Sequence, residues 1–184
     1  MLYTRKGDDG TTKTFGCNQR ISKSSRIAEA LGSVDEINSF LGLCKVGSVK
    51  NSLQIKDKKA SDIVHGIQQT LFVVQAELAG SDMTVGEDKV KELELITDTI
   101  EKELPPITTF FISGGTELGA LFDAARTIAR RAERRVVDVA EEGTTPIGGN
   151  TKAYLNRLSS VLYALARFSN HSAGIKEDSP NYNK

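Results

Sequence analysis

The sequence predicts an all-α fold, a five-helix antiparallel bundle, and three observations support this class. The chain of 184 residues contains only four prolines, so few positions interrupt a helix. Five segments place apolar side chains at the alternating steps of three and four residues that mark one face of a helix. Apolar and polar residues alternate, as in a strand, only near the extreme N-terminus. Each apolar face needs a partner, and an antiparallel bundle buries all five.

The first two predicted helices lie in the N-terminal half of the chain. The first runs from about Ser24 to Lys45, behind serines that can cap it, and the second spans about Ser61 to Ala79. Their apolar stripes are formed by Ile27, Leu31, Val34, Ile37 and Leu41 in the first and by Ile63, Ile67, Leu71, Val74 and Leu78 in the second. Each helix is therefore expected to bury one face.

The other three predicted helices follow in the C-terminal half. The third spans about Glu87 to Leu104 and ends where Pro105 and Pro106 remove backbone donors. The fourth and longest spans about Glu117 to Glu142, and the fifth begins after the loop Gly148-Gly149-Asn150. We expect one domain over residues 1–184, with residues 1–22 outside the bundle, the bundle at 24–172 and a flexible polar tail at 176–184.

Composition excludes several classes of protein. Lys plus Arg and Asp plus Glu both number 24, so the formal net charge is zero and no chain-wide cationic field is available to bind nucleic acid or a membrane. Cys17 and Cys44 are too few for a disulfide scaffold, and with two histidines they show no zinc spacing. No apolar run reaches the about 20 residues of a membrane span, and no apolar signal-peptide core follows Met1. We expect a cytoplasmic protein with neither nucleic acid nor membrane as a partner.

The N-terminal stretch has the composition of a phosphate-binding loop. It reads Tyr3-Thr4-Arg5-Lys6-Gly7-Asp8-Asp9-Gly10-Thr11-Thr12-Lys13. Its glycines allow close approach to a ligand, its hydroxyls and basic side chains suit phosphate oxygens, and Asp8 or Asp9 can hold magnesium directly or through water. The spacing is not that of the Walker motif. A β-turn at Asp9-Gly10 followed by a solvated loop explains the same residues, so both interpretations stay open.

Arginines form a stripe on the fourth predicted helix. Arg126, Arg130 and Arg134 are each separated by four residues, and Glu133 falls on the same side. Stacked cations repel each other unless an anion faces them, and arginine suits two-pronged contact with phosphate or carboxylate. The stripe indicates an anion site or an ion pair between subunits, with a solvated cationic face as the alternative.

Polar residues also border the apolar stripes of the first and fifth helices. Asp35 and Asn38 do so on the first helix, where a carboxylate either faces the arginines or lies on the surface. Asn156 and Tyr163 lie roughly opposite the core stripe of the fifth helix. The fifth helix is therefore expected to bury two sides, one in the core and one against a partner or ligand.

The turn before the fourth helix contains two aromatic rings. Phe110 and Phe111 stand beside Ser113-Gly114-Gly115, outside any helix stripe, so they either fill the core or form the wall of a pocket for a flat ligand. Asp62 and His65 have the spacing of half a di-iron site, but no second pair completes it. No Ser-His-Asp or Cys-His set is indicated by spacing.

Four sequence blocks carry a more specific signal when they are taken in order. The blocks are Tyr3 to Gly10, Gly32 to Ser39, Phe110 to Gly115 continuing through Ala125-Arg126-Thr127 and Arg130 to Arg134, and Leu155 to Ser159. Together they span nearly the whole chain and resemble the PduO-type ATP:cob(I)alamin adenosyltransferases in sequence and order. The chain is therefore identified as a member of that family.

The resemblance implies a five-helix bundle that assembles as a homotrimer and binds ATP and a corrinoid at subunit interfaces. It also implies that the cobalt of cob(I)alamin attacks the 5′ carbon of ATP, so that a cobalt–carbon bond forms and triphosphate leaves. The protein would orient the substrates and exclude water, without a catalytic base. Mg²⁺ would be bound mainly through the ATP phosphates. A corrinoid reductase and an adenosylcobalamin-dependent acceptor enzyme follow as candidate partners.

The matching blocks assign ATP to the N-terminal loop and to the fourth and fifth helices. The implied ATP-binding residues are Thr4, Arg5, Lys6, Gly7, Thr12 and Lys23 near the N-terminus, Arg130, Glu133 and Arg134 on the fourth helix, and Asn156 on the fifth. Residues 1–22 are thus expected to form an ATP-binding loop.

The same blocks assign the corrinoid end of the site. Arg126 resembles the family's arginine that pairs with an aspartate, here Asp35, across the subunit interface. Phe110 matches the aromatic residue at the lower axial face of the cobalt. A ring there excludes water and the dimethylbenzimidazole base and leaves four-coordinate cob(II)alamin, which is easier to reduce. Phe110, Arg126 and Asp35 are the implied catalytic residues, and Phe110, Phe111 and Arg126 are the implied corrinoid contacts.

Two positions depart from the family pattern. Ser113 stands where the family usually has proline before the paired glycines, which makes the turn less rigid, and Ser160 stands where it often has aspartate. Neither position is assigned to chemistry. The alternative function is a non-catalytic adenosylcobalamin carrier or nucleotide-sensing bundle with the same site. A third interpretation is a helical interaction protein with an incidental arginine stripe.

Overall fold

Five helices make up most of the computed structural model, which describes residues 3–14, 20–143 and 145–182. They are α1 (Arg26–Lys50), α2 (Ala60–Leu78), α3 (Glu87–Glu101), α4 (Glu117–Glu142) and α5 (Gly149–Ser172). The predicted number and order of helices are confirmed. Cys17, parts of the N-terminal loop and the last two residues of the tail lie outside the described residues.

Four short strands within the described residues add two small hairpins to the predicted helical bundle. β1 (Thr11–Lys13) pairs antiparallel with β2 (Arg20–Ser22), and β3 (Gln54–Ile55) pairs with β4 (Lys58–Lys59). Lys56, with a φ of 50°, and Asp57 form the two-residue turn of the second hairpin. Strands of two or three residues are too short to produce a recognisable alternation, so the sequence pattern did not reveal them.

The ends of the helices follow local chemistry. α1 begins at Arg26, because the Ser25 hydroxyl accepts a hydrogen bond from the Ala28 N–H, and it continues past the predicted end to Lys50. α3 ends at Glu101, before the predicted Leu104. Gly143, with a φ of 76°, ends α4 in the left-handed conformation that glycine adopts without strain.

Contacts between the helices show which of them run parallel and which run antiparallel. α1 packs against α2 and α4, and α5 packs against α3 and α4. Ion pairs join Arg26 to Asp138 and Lys50 to Glu117, so the start of α1 meets the end of α4 and the two helices run antiparallel. α3 and α5, in contrast, run in the same direction, since Arg157 pairs with Glu94 while Arg167, further along α5, reaches Pro105 beyond the end of α3.

The core lies where the apolar stripes meet. Every stripe position predicted for α1 and α2 is buried, apart from Ile27 and Leu31, which are partly buried. α4 contributes larger apolar side chains and also Ala125, Ala129 and Ala132, which are fully buried and let the neighbouring helices approach its backbone. This close packing fixes the axis of α4 and leaves its long cationic side chains on the outer face.

A buried carboxylate fixes the start of α5. Glu77, near the end of α2, accepts a hydrogen bond of 2.6 Å from the Gly148 N–H and another from the Thr151 hydroxyl. An anion at the N-terminal end of a helix is stabilised by the unpaired amides there. Among the described residues no helix is both long enough and apolar enough to cross a membrane.

Candidate functional site

A cleft of about 690 Å³ lies along the outer face of α4 and borders α5. Four arginines line it, and we call it the arginine cleft. Its lining residues are Arg130, Arg131, Glu133, Arg134, Arg135, Val137, Asp138, Glu141 and Asn156. Four of the implied ATP-binding residues, Arg130, Glu133, Arg134 and Asn156, are therefore brought together here.

The four arginines of this cleft fall into two kinds. Arg131 pairs with Glu36, and Arg135 lies 3.5 Å from a carboxylate oxygen of Glu29, so both are balanced by α1. Arg130 and Arg134 form no ion pair within the described residues, although Arg134 donates to the Arg130 carbonyl at 3.1 Å. Two of the three arginines of the predicted stripe, Arg130 and Arg134, thus keep their positive charge for an external anion.

A chain of hydrogen bonds crosses from α4 through α5 to α3. Asn156 Nδ2 donates to Glu133 Oε1 at 3.0 Å, and Arg157 Nη1 donates to Asn156 Oδ1 at 2.7 Å. Arg157 Nε in turn donates to Glu94 Oε1 at 2.9 Å. Because both ends of the amide are engaged, its orientation is fixed. Arg157 is a supporting residue that the sequence analysis did not single out.

A second cleft of about 760 Å³ opens where the loop before α4 faces α4 and α5. We call it the aromatic cleft. It is lined by Ile107, Thr108, Thr109, Phe110, Phe111, Arg126, Arg130, Ser159, Ser160 and Tyr163. Arg130 lines both clefts, so they adjoin each other at this side chain.

The two phenylalanines of the loop have different surroundings. Phe110 is 77% exposed, so it does not fill the core. Phe111 is partly buried, with the Arg167 guanidinium 4.9 Å from its ring centre. Phe110 is thus the ring available to a ligand, and Phe111 is anchored by α5.

Arg126 is held within the wall of the aromatic cleft. Its Nε donates to Asp123 Oδ1 at 3.2 Å, and its guanidinium lies 5.7 Å from the centre of the Tyr163 ring. Burial raises the pKa of Tyr163, so the phenol stays neutral beside this cation. Asp35 is exposed on α1, and within the described residues it makes no ion pair with Arg126. The implied pairing across a subunit interface stays a prediction.

The turn that carries the aromatic loop is fixed by one side chain of α5. Asn170 Oδ1 accepts from the Thr116 N–H at 2.9 Å and from its hydroxyl at 3.0 Å, and Nδ2 donates to the Gly114 carbonyl at 2.9 Å. Gly115 has a φ of 96°, and a Cβ there would lie 2.8 Å from Asn170 Oδ1. Glycine is therefore required at Gly115 by both conformation and space.

The described part of the N-terminal segment is a hairpin tied together by Arg20. Its Nε donates to the Thr11 hydroxyl at 2.5 Å and its Nη2 to the Thr11 carbonyl at 2.9 Å. It also contacts the Lys6 carbonyl and lies 3.4 Å from Asp9 Oδ1. The hydrogen bond from the Thr11 hydroxyl is the main cause of a lowered pKa of Asp9. Arg20 was not anticipated, because the pairing of β1 with β2 is not visible in residue spacing.

Two of the implied loop residues meet directly. Lys23 Nζ donates to the Gly7 carbonyl at 2.8 Å, and a Cβ on Gly7 would lie 3.0 Å from that nitrogen. Thr4, Arg5 and Lys6 are exposed around this contact. Within the described residues, no hydrogen bond or ion pair joins residues 3–14 to the predicted arginine stripe. The residues implied for ATP therefore form two groups, the N-terminal loop and the arginine cleft.

A family model described as cobalamin adenosyltransferase matches residues 2–169. The chain belongs to the cobalamin adenosyltransferase family. The resemblance inferred from the four sequence blocks is thereby confirmed.

Members of this family are similar over nearly the whole chain. The corrinoid adenosyltransferases PduO of Citrobacter freundii and Salmonella typhimurium are each 36% identical to it, over 94% and 98% of this chain. These alignments cover 50% and 54% of the two relatives, so the chain spans about half their length. A corrinoid adenosyltransferase of Bacillus subtilis is 36% identical over 95% of this chain and 89% of its own length.

Solved structures of the family show the same architecture. A variant PduO-type ATP:corrinoid adenosyltransferase from Lactobacillus reuteri, complexed with cobalamin and ATP, is 29% identical and superposes with a TM-score of 0.87 over 100% of this chain and 98% of that chain. Another variant of that enzyme, complexed with ATP, gives a TM-score of 0.84 over 98% of this chain and 100% of that chain.

Proposed function

We propose that this protein transfers the 5′-deoxyadenosyl group of Mg–ATP to the cobalt of cob(I)alamin, giving adenosylcobalamin and triphosphate. The observation that carries this proposal is that two clefts of different chemistry meet at Arg130. A cationic groove suits a polyphosphate, and an aromatic wall suits a large, flat macrocycle. Direct transfer between two substrates requires such adjoining sites.

ATP is assigned to the arginine cleft together with the N-terminal loop. Arg130 and Arg134 carry charge that no carboxylate of the described residues pairs with, so phosphate oxygens are suitable partners. Glu133 and Asn156, whose orientation is fixed by their mutual hydrogen bond, offer acceptor and donor groups to the nucleoside. Thr4, Arg5, Lys6, Gly7, Thr12 and Lys23 are proposed to wrap the triphosphate.

Mg²⁺ enters with ATP. Phosphate oxygens are the hard ligands that this ion prefers, and it commonly keeps several waters as well. The described residues contain no group of three or more His, Cys, Asp or Glu side chains placed to hold a metal ion. As the resemblance to the family implies, we assign Mg²⁺ mainly to the phosphates.

The corrinoid is assigned to the aromatic cleft, with Phe110, Phe111 and Arg126 as contacts. The reduced cobalt supplies the electron pair that forms the cobalt–carbon bond, and the bond between the 5′ carbon and its oxygen breaks as triphosphate leaves. Phe110 would cover the lower face of the cobalt and keep water from it. No group of the protein has to gain or lose a proton, so its contribution is position and charge.

A homotrimer with the sites at subunit interfaces completes the proposal. Its support is that Asp35 is exposed while Arg126 lines an open cleft, so that each can face a neighbouring copy. Leu43, Val46 and Val49 form an exposed apolar stripe on α1, which is typical of a surface covered by another chain. We place the reaction in the cytoplasm, with a corrinoid reductase and an adenosylcobalamin-dependent enzyme before and after it.

An anaerobic assay tests the proposal. Chemically reduced cobalamin, Mg–ATP and the purified protein are mixed, the cob(I)alamin absorbance is followed, and triphosphate is quantified. We expect loss of cob(I)alamin with one triphosphate released per adenosylcobalamin. Binding of ATP and cobalamin without conversion would favour the carrier or sensor function, and binding of neither substrate would contradict both functions.

A further inference from the structure

A buried ion pair lies behind the aromatic cleft. Arg167 of α5 donates from Nε to Glu177 Oε2 at 2.9 Å and from Nη2 to the Pro105 carbonyl at 3.2 Å. The same guanidinium covers the ring of Phe111. One side chain of α5 is therefore joined to both ends of the loop 105–111 and to the segment after α5.

The segment after α5 folds back onto this loop through its backbone as well. The Ile175 N–H donates to the Asn170 carbonyl at 2.9 Å, and Gly174 turns the chain with a φ of 70°. The Ile112 N–H then donates to the Asp178 carbonyl at 2.8 Å. Residues 173–178 lie along the loop that carries Phe110, and the last three of them belong to the tail at 176–184 that the sequence analysis expected to be flexible.

The degree of burial distinguishes this ion pair from the others. The side chains of Arg167 and Glu177 are 6% and 15% exposed. In every other ion pair among the described residues, at least one side chain is 28% exposed or more. Exposed pairs contribute little to stability, whereas removal of one member of a buried pair leaves an uncompensated charge. The geometry of the segments joined by Arg167 and Glu177 thus depends on both.

We propose that Arg167 and Glu177 are positioning residues for the aromatic cleft. Arg167 contacts the Phe111 ring and the Pro105 carbonyl, and Glu177 holds the Arg167 guanidinium in place. Through these contacts the pair holds the exposed ring of Phe110 in place against the corrinoid. Phe110 has little packing of its own, so its position is set by the segments on either side of it. The proposal rests on the proposed function, because the role of Phe110 comes from there.

Hydrogen exchange tests the positioning without any substrate. In Glu177→Gln the amide of Ile112, which donates to the Asp178 carbonyl, is expected to exchange at least about tenfold faster than in the wild type. Glu77→Gln is the matched control, since it also neutralises a buried carboxylate but at the start of α5, away from both clefts. It is expected to lower Tm and leave exchange of the Ile112 amide unchanged. Unchanged exchange in Glu177→Gln, or equal acceleration in both variants, would overturn the proposal.

Spectroscopy of cob(II)alamin with ATP tests the consequence for the site. Glu177→Gln is expected to reduce the fraction of four-coordinate cob(II)alamin while the Kd for ATP stays within about twofold. Glu177→Asp keeps the charge on a shorter side chain, and its four-coordinate fraction is expected to lie between those of the wild type and Glu177→Gln. An unchanged four-coordinate fraction in a folded Glu177→Gln variant would contradict the positioning role.

The two measurements separate this inference from the proposed function. One outcome is that the wild-type protein forms no four-coordinate cob(II)alamin while amide exchange in the loop still responds to Glu177→Gln. In that case the assignment of the corrinoid to the cleft is wrong, and only the role of Arg167 and Glu177 in positioning the loop is retained. If loop exchange does not respond, the positioning role is wrong whatever the enzyme does. Should Glu177→Gln fail to fold, Glu177→Asp and Arg167→Lys provide the same comparison with the charges retained.

Discussion

The arginine cleft and the aromatic cleft meet at one side chain, yet they are built in opposite ways. The arginine cleft takes its charges from successive turns of α4, whose backbone is fixed by regular hydrogen bonds and a fully buried alanine face. The aromatic cleft takes its rings from an irregular segment between α3 and α4, held in place by Asn170 and Arg167 of α5. Charge is thus placed on a rigid scaffold, and the rings are placed on a loop that depends on distant contacts.

This difference matches what each substrate would require. A triphosphate has many equivalent oxygens, so a row of guanidinium groups binds it through charge. Small displacements of these groups therefore change the binding free energy little. A ring that must replace a ligand on one face of cobalt has to stand at one distance and one angle. We therefore expect substitutions in the arginine cleft to weaken ATP binding, and substitutions in or behind the aromatic cleft to change the corrinoid while ATP stays bound.

The largest effect is expected for Arg130→Ala, because Arg130 lines both clefts. Loss of a charged contact to phosphate costs about 2 to 5 kcal/mol, so the Kd for ATP should rise by more than tenfold and transfer should nearly cease. Isothermal titration with Mg–ATP measures the change. Arg131→Ala is the matched control. It is expected to lose much less ATP affinity, because the guanidinium of Arg131 already pairs with Glu36 in the wild type. Equal losses in both variants would show that the cleft acts only through its total charge.

The arginine stripe that lines this cleft could be predicted from the sequence because it depends only on spacing along α4. Arg130 and Arg134 are one turn apart, Glu133 falls beside them, and the long apolar stripes make the helix itself certain. The same regularity predicted all five helices. In physical terms, contacts between near neighbours in sequence are fixed once the helix is known.

The supports of the aromatic cleft and of the N-terminal loop could not be predicted in this way. Asn170 contacts Thr116, Glu177 contacts Arg167 after a chain reversal, and Arg20 reaches across a hairpin. These contacts join residues that no local periodicity relates, and they depend on how the chain turns outside the helices. The family resemblance assigned a role to Phe110, but it did not reveal which residues hold that ring.

Phe110→Ala should separate the two clefts most cleanly. The ring is 77% exposed, so its loss should change the free energy of unfolding by less than about 0.5 kcal/mol and leave ATP binding intact. We expect four-coordinate cob(II)alamin to disappear and the transfer rate to fall. Thermal unfolding, ATP titration and cob(II)alamin spectra on the same sample test all three statements. Unchanged spectra would remove Phe110 from its assigned role.

Arg126→Ala tests whether Arg126 serves the corrinoid and not ATP. Of the two clefts, Arg126 lines only the aromatic one. Its replacement by alanine should therefore weaken corrinoid binding by about 1.5 to 3 kcal/mol, the usual contribution of a hydrogen bond to a charged group, and should weaken ATP binding less. Paired titrations with ATP and with cob(II)alamin measure both. Asp35→Asn should reproduce the corrinoid defect if the two side chains pair between subunits. A large loss confined to ATP would contradict the assignment.

The smallest effect is expected for Tyr163→Phe, which probes the charge of the aromatic wall. Burial raises the pKa of Tyr163, so the phenol is neutral in the folded protein up to a higher pH than in the unfolded chain. Stability from this group is therefore complete below its unfolded pKa and is lost as the pH rises through the folded pKa.

Because burial raises its pKa, this phenol stays neutral between about pH 7 and 9. Ionisation of this phenol should therefore not change corrinoid affinity across this range in the wild type, and the wild type and Tyr163→Phe should diverge in thermal stability only under more alkaline conditions. A corrinoid affinity that falls between pH 7 and 9 in the wild type and not in Tyr163→Phe would show that the phenol ionises there. The aromatic cleft would then contain a titrating group.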